Sequence, residues 1–400
     1  MALDGFDLNH LPDAFFDNPY PTYAELCRQA PVHPLPGGGV LVCRHADVNA
    51  VYRDPKRFSS DKKIQFAPVF GADSLIYQHH TTSLVFNDPP LHTRVRKAIG
   101  NTLSRRVVAG LQLELQHLVN QLIEQLPTDQ PVDLIARFAA AIPVEVIGNL
   151  LGIPIDERGP LRRWSLAILS VLEPSPSSAM LRQGEAAVVE FLSYLQEFAH
   201  TKAEHPSLQG NLMQRLLHWR DQDGPLTPQE LYHQCIFLLN AGHETTTNLI
   251  GNGICLLADH PQQLERFLQD PACHDSAIEE ILRYESPNQL GNRTTTCTLD
   301  LGGVTIPAET VITLCIGAAN RDPEVFTVPQ HFDVTRTPNP HLGFGAGIHT
   351  CAGLSVARLE GRVALTSLFG QFPGLRVVQA SRAKRARFRG FSELTVLLQG

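Results

Sequence analysis

One segment sets a minimum size for whatever this chain folds into. Thr227-Pro228-Gln229-Glu230 reads as a helix start, with Thr227 as the cap, Pro228 at the first helical position and Glu230 completing a capping box. The apolar spacing continues to about Leu257, and His260-Pro261 stops it. Some 30 residues of helix span roughly 45 Å, so the rest of the domain must be built around this rod. Its middle, Asn240-Ala241-Gly242-His243-Glu244-Thr245-Thr246-Thr247, suits a buried helix poorly: it holds a glycine, a carboxylate and three threonines. Threonine hydroxyls can bond back one turn and bend a helix, which makes a polar kink one reading. A zinc reading fails, because His243-Glu244 begins an H-E-x-x-H pattern whose fifth position is Thr247.

The rest of the pattern is mainly helical with small β-sheets. Helical spacing dominates from about 90 to 285, with Leu113, His117, Leu118, Gln121 and Leu122 marking an amphipathic stretch. Short strands are expected at Gly39–Cys43, across 294–316 around the Gly302-Gly303 turn, and at Leu394–Leu398. Four hundred residues would allow two or three domains, but no run of Gly, Ser or Pro is long enough to be a linker. One large domain over 1–400 is therefore expected. The hydrophobic fraction of 43% can fill a core, and the formal net charge of −7 argues against a nucleic-acid binder. The N-terminal stretch, with Asp4, Asp7, Asp13 and Asp17, has no basic region followed by an apolar run. Phe138–Ile155 is too interrupted to span a bilayer. A soluble, cytoplasmic protein is expected.

The eight cysteines are scattered, with no C-x-x-C, as expected of reduced thiols used mostly as small core residues. One differs. His341-Leu342-Gly343-Phe344-Gly345-Ala346-Gly347-Ile348-His349-Thr350-Cys351-Ala352-Gly353 presents Cys351 just before the helical stretch Leu354–Phe369. The glycine spacing does not match G-x-G-x-x-G, and no P-loop lysine follows. Backbone N–H groups and the dipole of the following helix favour a thiolate there. A lone thiolate in a glycine-rich loop suits an axial bond to heme iron better than zinc.

Phe344-x-x-Gly347-x-His349-x-Cys351-x-Gly353 resembles the heme-ligand signature of cytochrome P-450 enzymes, with every position filled. Ala241-Gly242-x-Glu244-Thr245 resembles that family's oxygen-activation motif, and Glu280-Ile281-Leu282-Arg283 its E-x-x-R pair. The three occur in the family's order. The resemblance implies the cytochrome P-450 fold, a single heme-enclosing domain and heme b (iron protoporphyrin IX) as cofactor. It implies Cys351 as the iron ligand, with Phe344, Ala241 and Gly242 against the heme and Glu244 and Thr245 as an acid–alcohol pair for proton delivery. His92, Arg96, Arg293 and His349 match positions that hold the propionates, and Glu280, Arg283 and Arg336 a structural charge triad.

The resemblance also outlines a substrate pocket. Its segments are Ile64–Val85, with Phe66, Phe70, Tyr77 and the pair His79-His80; the run Leu166, Ile168, Leu169, Val171 and Leu172; Phe237, Asn240 and Ala241; Gln289, Leu290 and Gly291; and Phe391. Asn240 and Gln289 are open to two readings, a bond to a substrate oxygen or a self-satisfied helix kink. Arg94, Lys97, Arg105 and Arg106 form either a docking patch for an acidic electron donor or a solvated face, while Arg382, Lys384, Arg385, Arg387 and Arg389 read as a solvated turn. The expected activity is insertion of one oxygen atom of O2 into a small or medium, mostly apolar organic molecule. Electrons would come from a separate ferredoxin or flavodoxin and its NAD(P)H reductase, and the enzyme would be a monomer. Alternatives are a coupling, dealkylating or peroxide-driven enzyme of the same type, or a non-catalytic thiolate-heme sensor.

Overall fold

The computed structural model describes residues 5–103, 105–202, 211–222 and 224–399. Asp4 and the side chains of Arg105 and Arg106 lie outside what is described. The chain falls into two compact units, each assembled from separated stretches: Met1–Ser59, Gln112–Ala139 and Thr245–Gly400 form the first, and Ser60–Leu111 and Ala140–Glu244 the second. Among the described residues no helix is long and apolar enough to cross a membrane.

The first unit holds most of the sheet. A five-stranded sheet runs in the order Val32–Pro34, Val40–Val42, Val311–Cys315, Leu290–Thr295, Phe58–Ser59, and only its Val40–Val42/Val311–Cys315 pair is parallel. Val42, Ile312 and Leu314 of the sheet are fully buried in one apolar cluster with Val48 and Val51 of the His45–Arg53 helix. A second cluster gathers Tyr23, Leu26, Cys43 and Cys315. Arg376–Arg382, Phe391–Leu397 and Val132–Asp133 make a three-stranded sheet. The expected Gly302-Gly303 turn joins Leu299–Leu301 to Val304–Ile306, and both glycines have positive φ (58° and 81°), as a tight hairpin of this hand requires.

Among the described residues the second unit has helices and one short ribbon, at Arg220–Asp221 and Gly224–Pro225. The long helix, Pro228–Asp259, contributes its residues up to Glu244 to this unit and the remainder to the first. Its start carries the capping box: the Glu230 amide donates to Thr227 Oγ1 (3.1 Å), and the Thr227 amide donates to Glu230 Oε2 (2.7 Å). Three polar residues of this helix fasten it to neighbours. Gln234 bonds the Thr82 carbonyl and the Leu84 amide, and His243 Nδ1 lies 3.2 Å from Ser165 Oγ. Further on, the Asn252 side chain donates to the carbonyls of Glu285 and Arg389 and accepts from Arg382. At Gly242 a side chain would clash with Ile147 of the Ala141–Leu151 helix, so close packing explains the glycine.

The amphipathic stretch is the Arg105–Glu124 helix, whose buried residues include Leu115, Val119 and Ile123, while Leu113 is 84% exposed. Two expectations change. Arg94 is not part of an open patch: its guanidinium pairs with Glu230 and the Pro225 carbonyl and lies over Trp219, leaving Lys97 exposed. The C-terminal basic cluster is not a solvated turn. Arg389 and Arg382 close on buried Glu285 at 2.6 and 3.4 Å, with Arg321 at 3.8 Å. Burial alone would raise the Glu285 carboxyl, but those three charges outweigh it and hold it below its ordinary value.

Glu280 is the other buried carboxylate with arginine partners. Arg283 reaches both its oxygens at 2.7 Å, and Arg336 Nε lies 3.1 and 3.2 Å from them. Glu280 and Arg283 are completely buried. Substituting Arg283→Ala would leave a buried charge short of its main partner, so a loss of about 3–5 kcal/mol is expected in urea denaturation. Arg283→Lys, which keeps the charge but not the fork, should lie between the two.

Candidate functional site

In the first unit, the segment from His341 to Gly353 folds as two tight turns followed by the N-terminus of the Leu354–Gln371 helix. The Cys351 amide donates to the Phe344 carbonyl at 2.9 Å, and the Thr350 amide and hydroxyl both donate to the Gly347 carbonyl. Gly347 has φ +70°, and a Cβ there would collide with the Tyr52 carbonyl. The loop therefore lies directly on the His45–Arg53 helix. Arg358 stacks over the Phe344 ring at 4.9 Å and forms a two-pronged bond to Glu279, which also meets His341 at 3.1 Å. Cys351 is half-buried, one turn before a helix N-terminus whose dipole favours a thiolate.

Other expected residues of this unit are placed as follows. Arg293, buried on the Leu290–Thr295 strand, has its guanidinium 5.1 Å from the Tyr52 ring, and Tyr52 also lies 3.9 Å from where a Cβ on Gly345 would be. Tyr52 thus connects Arg293 with the cysteine loop, a link with no local sequence signal. His349 is half-buried in the turn preceding Cys351. Gln289 Nε2 donates to the Ser286 carbonyl, and its Oε1, in the space where Gly317 lacks a side chain, has no hydrogen-bond partner among the described residues. Leu290 belongs to the cluster with Tyr20, Tyr23 and Leu26, and Phe391 lies under the Arg382 guanidinium at 3.9 Å.

In the second unit, His92 is buried and Arg96 half-buried on the Leu91–Thr102 helix, four residues apart and therefore on one face. Along the long helix Asn240, His243 and Glu244 are buried, yet Ala241 is exposed and Gly242 half-buried, which gives a small-residue strip a flat group can lie against. Thr245, the next residue, is half-buried. Phe66 and Phe70 pack on each other, with ring centroids 5.0 Å apart, and on His80. Leu169 is buried, and Tyr77 and Phe237 are half-buried.

The donor chemistry tests the heme assignment. Cys351 offers a single thiol, and among the described residues no group of three or more His, Cys, Asp or Glu is arranged to hold a metal ion. One thiolate suits a metal whose remaining ligands come with a macrocycle. The residues fit heme.

Glu360 was not singled out from the sequence, although it interrupts the apolar stripe Val356–Val363 of its helix. It is fully buried, and burial pushes its carboxyl up to about 8 against the opposing hydrogen bond from Thr246, the residue after Thr245. The folded state thus holds a proton that the unfolded chain releases near pH 4.5, so stability falls as pH rises from there to about 8. Glu360→Gln removes this slope. Denaturation across that range should show the variant gaining on the parent by roughly 1.4 kcal/mol per pH unit at most, levelling above pH 8.

Comparison with known proteins agrees with the geometry. The sequence profile of the family described as Cytochrome P450 matches residues 35–270 and 273–379. A vitamin D(3) 25-hydroxylase from Pseudonocardia autotrophica is 39% identical over 90% of this chain and 88% of its own length. The 6-deoxyerythronolide B hydroxylase of Saccharopolyspora erythraea is 35% identical over 97% of this chain and 98% of its own. Among solved structures, P450BioI in complex with hexadec-9Z-enoic acid ligated acyl carrier protein superposes with a TM-score of 0.87 at 32% identity. That match covers 96% of this chain and all of the other. This chain belongs to the cytochrome P450 family, as a monooxygenase that uses heme b.

Proposed function

We propose that this monooxygenase acts on a small or medium, mostly apolar organic molecule, drawing electrons from a separate ferredoxin or flavodoxin served by an NAD(P)H reductase. The observation that carries the reading is the Cys351 loop: a half-buried thiol at a helix N-terminus, fixed through its own amide to Phe344. Hydroxylation is supported by the two relatives that are themselves named hydroxylases. The profile match crosses stretches of both units, which supports one functional domain over 1–400. The protein is proposed to act in the cytoplasm as a monomer.

Heme b, when bound, supplies the iron at which dioxygen is reduced, and a thiolate ligand favours O–O cleavage. Cys351 would hold the iron, and His92, Arg96, Arg293 and His349 would pair with the propionates, which need cationic partners where water is scarce. Phe344, Ala241 and Gly242 would lie against the ring. The overall reaction turns one C–H bond into C–OH and releases one water, consuming O2, two electrons and two protons. The Glu244 carboxylate and the Thr245 hydroxyl, adjacent on the long helix, would deliver those protons.

Two measurements test this. The reduced protein under carbon monoxide should give a thiolate-type heme spectrum, which Cys351→Ala abolishes; a histidine-type spectrum, or no heme in the parent, would overturn the reading. Thr245→Ala should keep the spectrum but divert electrons from product to peroxide. Full coupling in that variant would remove Thr245 from the relay.

A further inference from the structure

Three imidazoles in the second unit meet where no charge partners them. His79 and His80 lie on the Leu75–Thr82 helix and His233 on the long helix, with ring centroids 4.9 Å apart for His79–His80 and 5.6 Å for His79–His233. All three residues are at least 98% buried. His79 Nδ1, His80 Nε2 and His233 Nδ1 have no hydrogen-bond partner among the described residues, nor does Asn240 Oδ1. Phe66, Phe70 and Phe86 surround His80 at 5.4–5.8 Å.

The cluster is rigidly mounted. Glu185 accepts from the Leu75 and Ile76 amides at 3.0 and 2.9 Å, fixing the start of the Leu75–Thr82 helix. Gln234, next to His233, binds the Thr82 carbonyl and fixes its end. A buried polar atom without a partner is costly, and three neighbouring rings that each hold one, in an aromatic setting, point to a binding site.

We infer that His79, His80 and His233 anchor a neutral alcohol group at one end of an elongated, otherwise apolar substrate. Burial holds all three imidazoles in the neutral form, His80 at about 3 and His233 at about 4, with His79 well below its ordinary value. Each neutral ring offers one donor and one acceptor. A hydroxyl uses both, whereas a carboxylate only accepts and an ammonium only donates. A charged group would also lose its hydration with no counter-ion in return.

The helix sets the length. His233, Phe237, Asn240 and Glu244 follow at spacings of four, three and four and so share one face. Seven residues separate His233 from Asn240 and eleven separate it from Glu244, roughly 10 and 16 Å along the axis. A molecule held at His233 therefore presents its far, apolar end toward Glu244. This orientation, unlike the anchor itself, rests on the monooxygenase reading above.

The test titrates the holoenzyme with dodecan-1-ol, dodecane, sodium dodecanoate and dodecylamine hydrochloride, following binding by calorimetry and by iron spin state. Dodecan-1-ol should bind at least about tenfold tighter than dodecane, because a site built for a hydroxyl rejects the analogue lacking it. His80→Phe and His233→Leu should each erase that advantage while leaving dodecane affinity and the carbon monoxide spectrum unchanged. His80→Gln, still neutral and hydrogen-bonding, should retain most of it. Equal binding of alcohol and alkane by the parent overturns the proposal, as does an advantage that survives both substitutions. Tighter binding of the carboxylate or the ammonium also overturns it. Failure of the heme spectrum would defeat the monooxygenase reading alone, because calorimetry still reports the alcohol preference.

Discussion

The buried Glu280 carboxylate organises the long irregular stretch that leads to the cysteine loop. Between the short helix Ile316–Ala319 and Gly347 the chain has no helix or strand, yet it buries Phe326, Phe332, Val334 and Leu342, so its backbone groups need partners from elsewhere. Arg283 and Arg336, both held by Glu280, supply them: their guanidinium groups donate to the carbonyls of Asn320, Thr327, Pro329 and His331. Glu280 itself accepts from the Asp333 amide and the Asn339 side chain. Asn320 Oδ1 then accepts from the Leu342 amide, one residue before the glycine-rich turns begin. The position of Cys351 therefore depends on a charge cluster that takes no part in chemistry.

The long helix resolves its own conflict in a similar way. Polar residues in a buried helix cost stability unless something bonds them. Here Gln234, His243 and Asn252 each fasten another segment to the helix. The rod is a docking rail, and its mid-helix glycine lets the Ala141–Leu151 helix approach at Ile147. Within the stretch that reads as a kink, His243 is bonded and Gly242 closely packed, and the helix is continuous through it.

The legible parts of the fold were those decided locally. The capping box at Thr227 and Glu230 needs only neighbours in sequence, as does the Gly302-Gly303 turn, and the cysteine loop carries its own pattern. What stayed hidden depends on distant partners. Arg382 and Arg389 look like any surface cluster until Glu285, about a hundred residues earlier, is placed between them. Arg94 gave no sign that it would turn to Glu230. The Arg105–Glu124 helix has apolar residues on more than one face, and packing alone selects Leu115, Val119 and Ile123 for burial over Leu113. The weight of Tyr52 arises only where a helix, a strand and a loop meet.

Buried ionisable groups in this protein fall into two physical classes. Glu280 and Glu285 sit among arginines; Glu285 is held below its ordinary range, and such charged groups serve as rivets. Glu360 and the three histidines have no opposite charge beside them, so burial drives each toward its neutral form. A neutral group that retains an unsatisfied atom adds nothing to stability that an apolar side chain of similar volume would not supply better. Its retention has to be explained by something the folded chain does. Glu360 bonds Thr246, next to the proposed proton-delivery pair, and His233 lies on the long helix on the same face as Glu244. The class of buried group that stability cannot explain is thus the class that adjoins the proposed reaction.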